Sequence, residues 1–259
     1  MLVYRKPKDS SDPPIALVHR DGKTRKVYVT WDKSNTSATD HIDLRDTDAT
    51  AEPLPFKPTG QRFAAYVAGM SGSGKSTQIA RLVKQLKKSM DAEGKKRAFI
   101  FSAVTQIEDP ALEGVGAVHL KYENKEALLQ LKPEHLANSI LLFDDAFSGQ
   151  DVEIARFMRG LLKSCLQLGR KMNINILTVS HQIMEWNKTR DTIFESSHFV
   201  LFPVSNRNAS LRFIKSYLDP TKAELDEIRR LDEGRYTSIT VHKGSPRYWI
   251  SSKQIRMLS

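Results

Sequence analysis

The sequence predicts an α/β sandwich built on a mostly parallel central sheet, with an N-terminal hairpin and arm and extra C-terminal strands. Three observations predict it. From Phe63 onward, short apolar runs alternate with amphipathic segments of helical period. The runs are apolar at both parities, as in strands covered on both faces. A glycine-rich turn, Gly69-Met70-Ser71-Gly72-Ser73-Gly74-Lys75-Ser76-Thr77, joins the first run to the first helical segment. Strand–helix alternation over this length gives parallel neighbours joined by helical crossovers.

Residues 1–60 differ from the rest. Ile15–His19 and Lys26–Trp31 alternate around Asp21-Gly22, the pattern of a hairpin. Asp32–Pro58 is rich in Asp, Thr, Ser and Pro and has little period. It reads as a loop or extended arm that packs on a neighbour rather than around its own core. In the main unit, residues 61–259, the predicted strands are Phe63–Ala68, Ala98–Ser102, Ala117–Leu120, Ile140–Phe143, Ile174–Val179 and His198–Phe202. Ile79, Leu82, Val83, Leu86 and Met90 recur at helical spacing; so do Ile154, Phe157, Met158, Leu161, Cys165 and Leu168, with Gly169 expected at C′. After Asp219-Pro220 come a helix, Lys222–Leu231, and two strands, Tyr236–Val241 and Arg247–Ser251, joined by a turn at 243–246.

With 259 residues and 40% hydrophobic positions, the chain can bury a core without covalent staples. Its single cysteine, Cys165, excludes an internal disulfide framework and a multi-thiolate zinc site, and its seven histidines form no His-Glu-x-x-His pair. No apolar run approaches the roughly 18 residues of a bilayer span. The polar N-terminus MLVYRKPKDSSDPP lacks the apolar stretch of a signal peptide. The expectation is a soluble protein that is not secreted. Lys and Arg number 40 against 30 Asp and Glu, a formal charge of +10. Residues 151–259 carry most of the surplus, 18 basic against 11 acidic. Such a surplus suits an anionic partner, although a solvated surface explains the composition equally well.

Gly69–Ser76 is an intact G-x-x-x-x-G-K-[ST] between a strand and a helix. Its glycines let consecutive amides, here spanning Gly69, Ser71, Gly72, Ser73 and Gly74, turn inward around phosphate at a helix N-terminus. Lys75 then reaches the β- and γ-phosphates and Ser76 ligates Mg²⁺; Thr77 either contacts the α-phosphate or is simply a first-turn residue of the helix. ATP and Mg²⁺ are the expected ligands. Some 70 residues on, Ser139–Phe143 ends in Asp144-Asp145. At the C-terminal end of a parallel strand, Asp144 is placed to bind the metal and Asp145 to orient or deprotonate water. Ser180-His181-Gln182 follows the next strand; Gln182 is the chosen γ-phosphate sensor, because an amide both donates and accepts, with His181 the competitor. Arg170, at the other end of that strand, can act only on a neighbouring subunit's nucleotide, as an arginine finger; helix-terminal cations explain it equally well. Arg156 and Arg159 are weaker candidates for the same role. Asn187-Lys188-Thr189-Arg190-Asp191 resembles the guanine-reading N-K-x-D, but its Asp lies one residue too far along.

The sequence A-G-M-S-G-S-G-K-S-T, the strand ending Asp144-Asp145, Gly169-Arg170 followed shortly by an Asn-Ile pair, and the strand closing on Gln182 resemble the FtsK/HerA group of ring ATPases. Within it the chain is most similar to the genome-packaging ATPases of nucleocytoplasmic large DNA viruses. Residues 195–203 and 247–250 resemble that family's C-terminal part. The likeness spans roughly residues 60–255 and leaves the N-terminal arm outside. It implies a P-loop NTPase sandwich of RecA/FtsK type and an ATP-hydrolysing homo-oligomeric ring that moves double-stranded DNA into a capsid. It also implies capsid or membrane proteins of the virion as partners, in the virion or the host cytoplasm. The wider group has Asp-Glu where this chain has Asp144-Asp145, and commonly His where it has Lys171. Lys163, Arg207, Arg212, Lys215, Arg229 and Arg230 are the candidate DNA-facing cations. A small-molecule P-loop kinase and a nucleotide-binding scaffold without turnover are the competing functions.

Overall fold

The computed structural model describes the chain except residues 9, 33, 59–60, 91–96, 103–108, 121, 123, 148–150, 184–185, 232, 235 and 259. The elements follow in chain order: β1 (Leu2–Val3), β2 (Ala16–Arg20), β3 (Lys23–Val29), β4 (His41–Asp43), β5 (Thr50–Pro53), β6 (Ala64–Ala68), α1 (Lys75–Met90), β7 (Arg97–Ser102), β8 (Val118–Leu120), α2 (Lys125–Leu129), β9 (Ser139–Asp144), α3 (Val152–Leu168), β10 (Asn175–Ser180), α4 (Trp186–Glu195), β11 (His198–Leu201), α5 (Arg207–Leu218), α6 (Lys222–Arg229), β12 (Ile239–His242), β13 (Tyr248–Ile250) and β14 (Gln254–Met257).

Ten strands form the central sheet in the order β4-β14-β13-β12-β11-β6-β10-β9-β7-β8. From β11 to β8 all neighbours are parallel, and β12, β13, β14 and β4 extend the sheet antiparallel. This is the mostly parallel α/β sheet the sequence predicts. Strands β7 to β10 lie on one side of β6 and β11 on the other, so the connections change direction at β6. Ligand crevices form outside the carboxyl ends of strands at such a switch.

Period-two alternation decides which face each residue serves. Ile140 and Leu142 of β9 join Ala65 and Val67 of β6 under α1, whereas Leu141 and Phe143 turn to α3. On that second face Tyr66 and Ala68 meet α5 and α6. Helix α1 buries Ile79, Leu82, Val83, Leu86 and Met90, each worth roughly 1.5–3 kcal/mol. Helix α3 is capped by Asp151, whose carboxylate accepts from the amides of Glu153 and Ile154.

A second, antiparallel sheet of order β1-β3-β2-β5 comes from the N-terminal segment. Its apolar face, with Ile15, Val18, Val27 and Phe56, packs on Tyr248, Ile250 and Ile255 of the large sheet. These three residues point to the face that carries α1, because their neighbour Trp249 points the other way. The small sheet therefore sits beside α1.

Several sequence expectations need correction. The stretch read as a loop or arm, Asp32–Pro58, contains β4 and β5. Ile42 of β4 pairs with Ile255, some 200 positions away, while β5 pairs with β2, Ala16 against Pro53, and adds the Ala51 amide on the Ser252 carbonyl; strands of three and four residues leave no local period to mark them. Gly169 caps α3 with an ordinary helical φ of −58°, not a left-handed one. A side chain there would instead run into the Cys165 carbonyl and, at 3.1 Å, the Arg62 guanidinium. The strand expected from Tyr236 begins at Ile239, because a turn closed by the Thr237 amide on the Gly234 carbonyl holds Tyr236 outside the sheet.

Candidate active site

The carboxyl ends of β6, β9 and β10 open on a cleft of about 840 Å³. Its floor is the loop between β6 and α1. Gly69 donates its amide to the Ser180 carbonyl, tying the loop to the end of β10. A side chain at Gly69 would sit 2.7 Å from the Phe202 ring and 2.8 Å from Ser73 Oγ, so the loop's close seat on the sheet requires glycine. Gly72 and Gly74 take left-handed φ values of +73° and +96°, conformations that turn successive amides toward one point. Ser71, Gly72, Gly74, Ser76 and Thr77 line the cleft, while Ser73 is buried beneath it, its hydroxyl lacking a hydrogen-bond partner among the described residues.

Lys75, the first residue of α1, is 8% exposed. Its ammonium donates to the carbonyls of Gly69 at 2.8 Å and Met70 at 3.0 Å, and lies 3.3 Å from His181 Nδ1. Burial lowers its pKa, against the opposing pull of Asp145 and Asp144. An ammonium only donates, so His181 Nδ1 accepts and Nε2 carries the proton donated to Asp145 Oδ2 at 2.8 Å. Lys75, His181 and Asp145 thus form one hydrogen-bonded chain across the cleft. Asp145 sits at the turn after β9 with φ +47°, a left-handed conformation that Asp tolerates. At the strand's end, Asp144 has its carboxyl pushed up to about 6 by burial, then by Asp145 and Asp109.

Three oxygen acids, Asp109, Asp144 and Asp145, therefore line the cleft with two cations, Lys75 and Arg81, and the His181 ring. That surplus of hard-oxygen negative charge suits a small divalent cation. Among the described residues no group of three or more His, Cys, Asp or Glu forms a protein cage for a metal. Mg²⁺ needs none where phosphates and water supply most of its ligands, so a hydroxyl and a carboxylate, Ser76 and Asp144, fit it.

The other expected residues lie elsewhere. Gln182, chosen from sequence as the sensor, is exposed and does not line the cleft. Ser180 Oγ donates to the Gln182 carbonyl and accepts from its amide, and Tyr66 donates to the same carbonyl. That tight turn leaves His181 as the residue in the cleft. Arg170 is exposed between α3 and β10, at the end of the sheet away from the cleft, with exposed Lys171 beside it. Arg156 and Arg159 are exposed on α3, Arg159 lying over the Phe147 ring at 5.9 Å. Of the cations picked for DNA, Lys163 pairs with Asp191 at 3.4 Å and Arg229 with Asp226 at 2.9 Å. Arg230 lines a separate polar cavity, and Arg207, Arg212 and Lys215 are exposed along α5. Sequence reasoning missed Asp109, Arg81 and Tyr236, which also line the cleft. Only Arg81, six residues after Lys75 on the same helix, carried a positional signal.

No protein-family model matches the chain. Uncharacterized protein V3 of Sputnik virophage is 28% identical over 199 residues, 74% of this chain and 76% of that protein. Among solved structures, the pCW3 conjugation coupling protein TcpA, in monomer form with ATPγS, is similar in fold, with a TM-score of 0.52 and 14% identity over 93% of this chain and 75% of that one. The genome packaging NTPase B204 of Sulfolobus turreted icosahedral virus 2, in complex with AMPPCP, gives a TM-score of 0.48 at 14% identity over 74% of this chain and 97% of that one.

Proposed function

We propose that the chain is a Mg²⁺-dependent ATPase that assembles as a homo-oligomeric ring and drives double-stranded viral DNA into a capsid. The observation that carries the ATPase reading is the cleft itself. One glycine-rich turn, one buried lysine and an acidic pair meet there at the carboxyl ends of three parallel strands. In this reading residues 61–259 are the ATPase unit, and residues 1–60 are an addition seated on its sheet.

Each residue then has a role. The loop amides from Gly69 to Gly74 cradle the phosphates, and Lys75, released from the Gly69 and Met70 carbonyls, neutralises the β- and γ-oxygens. Thr77 meets the α-phosphate. Ser76 and Asp144 would hold Mg²⁺, which when bound spreads the negative charge of the phosphate oxygens. Asp145 orients the attacking water and takes its proton. His181 replaces Gln182 as the sensor, because its ring touches both Lys75 and Asp145 and so registers whether phosphate has drawn the lysine away. Arg170 serves a neighbouring subunit's site, since its own lies at the far end of the sheet. The exposed cations of α5, Arg207, Arg212 and Lys215, offer sequence-independent contacts to a DNA backbone.

ATP turnover with and without linear duplex DNA, across a salt series, tests the whole reading. Turnover stimulated by DNA, with stimulation fading as ionic strength rises, is the expected result. ATP binding with no turnover under any condition would make the chain a scaffold. Turnover indifferent to DNA but dependent on a small acceptor would make it a kinase. Asp145→Asn is expected to bind ATP and lose hydrolysis, and an Arg170→Ala ring with full turnover would remove the finger.

A further inference from the structure

The phosphate cleft has a direction. Asp144, Asp145 and His181 stand at its γ-phosphate end, and the helix N-terminus runs from Lys75 toward Thr77 at the α-phosphate end. Whatever is esterified to the α-phosphate must leave past Thr77 along the next turn of α1, over Gln78 and Arg81. There the cleft continues into a second cavity of about 220 Å³, which shares Gln78, Arg81 and Tyr236 with the first. Ala51 and Pro53 of β5 and Ile250 of β13 wall its far side.

Two features make this continuation a built site. Tyr236 is 63% exposed at the junction of the cavities, its ring lying against the loop, where Cδ1 would be 3.4 Å from a side chain placed on Gly74. An aromatic face presented to a cleft is a platform for another flat ring. Across from it, Arg81 pairs at 3.9 Å with Glu52 of β5, and the same carboxylate accepts from Gln85 and contacts His19 at 3.2 Å. Gln78 is likewise held, donating to Ser238 Oγ at 3.0 Å. The polar side chains of the groove are thus fixed from both sides before any ligand arrives.

We propose that this groove binds the nucleobase and ribose of the nucleoside triphosphate. Tyr236 stacks on the base, and the N-terminal sheet completes the site through Pro53 as end wall and Glu52 as the residue that positions Arg81. The proposal rests on the nucleotide reading of the cleft and gives residues 1–60 a part in substrate binding.

Calorimetric titration of the full chain with ATP and with inorganic tripolyphosphate separates the base end from the phosphate end. Tyr236→Ala is expected to weaken ATP roughly 10- to 100-fold, the usual worth of one base–aromatic stack, and to leave tripolyphosphate unchanged. Tyr236→Phe should bind ATP like the parent, and Glu52→Gln should weaken ATP alone, by a smaller factor. Unchanged ATP affinity in Tyr236→Ala, or equal losses for both ligands, would overturn the base groove while leaving the phosphate cradle intact. A parent protein that binds neither ligand would overturn the nucleotide reading itself.

Discussion

At Gly69 one missing side chain decides whether the cradle can seat on the sheet. A methyl group there would meet the Phe202 ring and Ser73 Oγ, both closer than 3.0 Å. Gly69→Ala is therefore expected to lower stability by about 1–3 kcal/mol in urea unfolding and to weaken ATP binding. Phe202→Leu on top of it should recover part of the stability, and a double variant no better than the single would show that the clash lies elsewhere. The residues that line the cleft were legible in the sequence where their placement depends on neighbours in the chain. The glycines, Lys75, Ser76 and the Asp144-Asp145 pair all announce themselves by spacing. The choice between His181 and Gln182 did not, because it turns on how Ser180 folds its hydroxyl onto the Gln182 backbone. Tyr236 and Asp109 reach the cleft from distant loops, where no spacing rule applies.

Helices α1 and α3 were legible from apolar period alone, whereas β4 and β5 were not, since they are only three and four residues long and β4 finds its partner in distant β14. Helix α3 carries a consequence of its own packing. The Cys165 thiol is buried on its core side, and burial pushes its pKa up to about 12. Arg62 closes the same corner, donating to the Cys165 carbonyl at 2.9 Å and bridging to Glu195 at 3.1 Å. A thiol so held is inert, because only the thiolate attacks. Native protein is expected to resist iodoacetamide at pH 8 and to label fully once unfolded in urea. Arg62→Ala should speed native labelling several-fold by loosening the end of α3; rapid labelling of the parent would contradict the packing described.

Across the whole molecule, a run of packed rings links the parallel sheet to its antiparallel wing and to the N-terminal segment. Phe63 lies on His198, His198 on His242, and His242 on Tyr248 and Phe56, with centroids 4.6 to 5.2 Å apart. Burial lowers the pKa of both histidines below the ordinary 6.5, that of His198 strongly. The unfolded chain then binds protons that the folded chain refuses, so stability is lost as pH falls through 6.5. Between pH 7.5 and 5.5 stability, read from urea midpoints, should fall, with His198 giving the larger share. A His198→Phe variant should lose the larger part of that dependence. A parent whose stability does not change over this range would mean that the rings are already charged or already solvated.

The pairing of β4 with β14 has a bearing on how the protein is made. Ile42 pairs with Ile255, so the ladder between β4 and β14 joins segments separated by nearly the whole polypeptide. Contacts of such separation form late, after the loop between them has closed. On the ribosome, the hairpin of β2 and β3 can form early from its own neighbours, but its apolar underside must wait in solvent until β13 and β14 emerge. Newly synthesised chains thus spend most of translation with that surface bare, an interval in which a holding chaperone would do the most good.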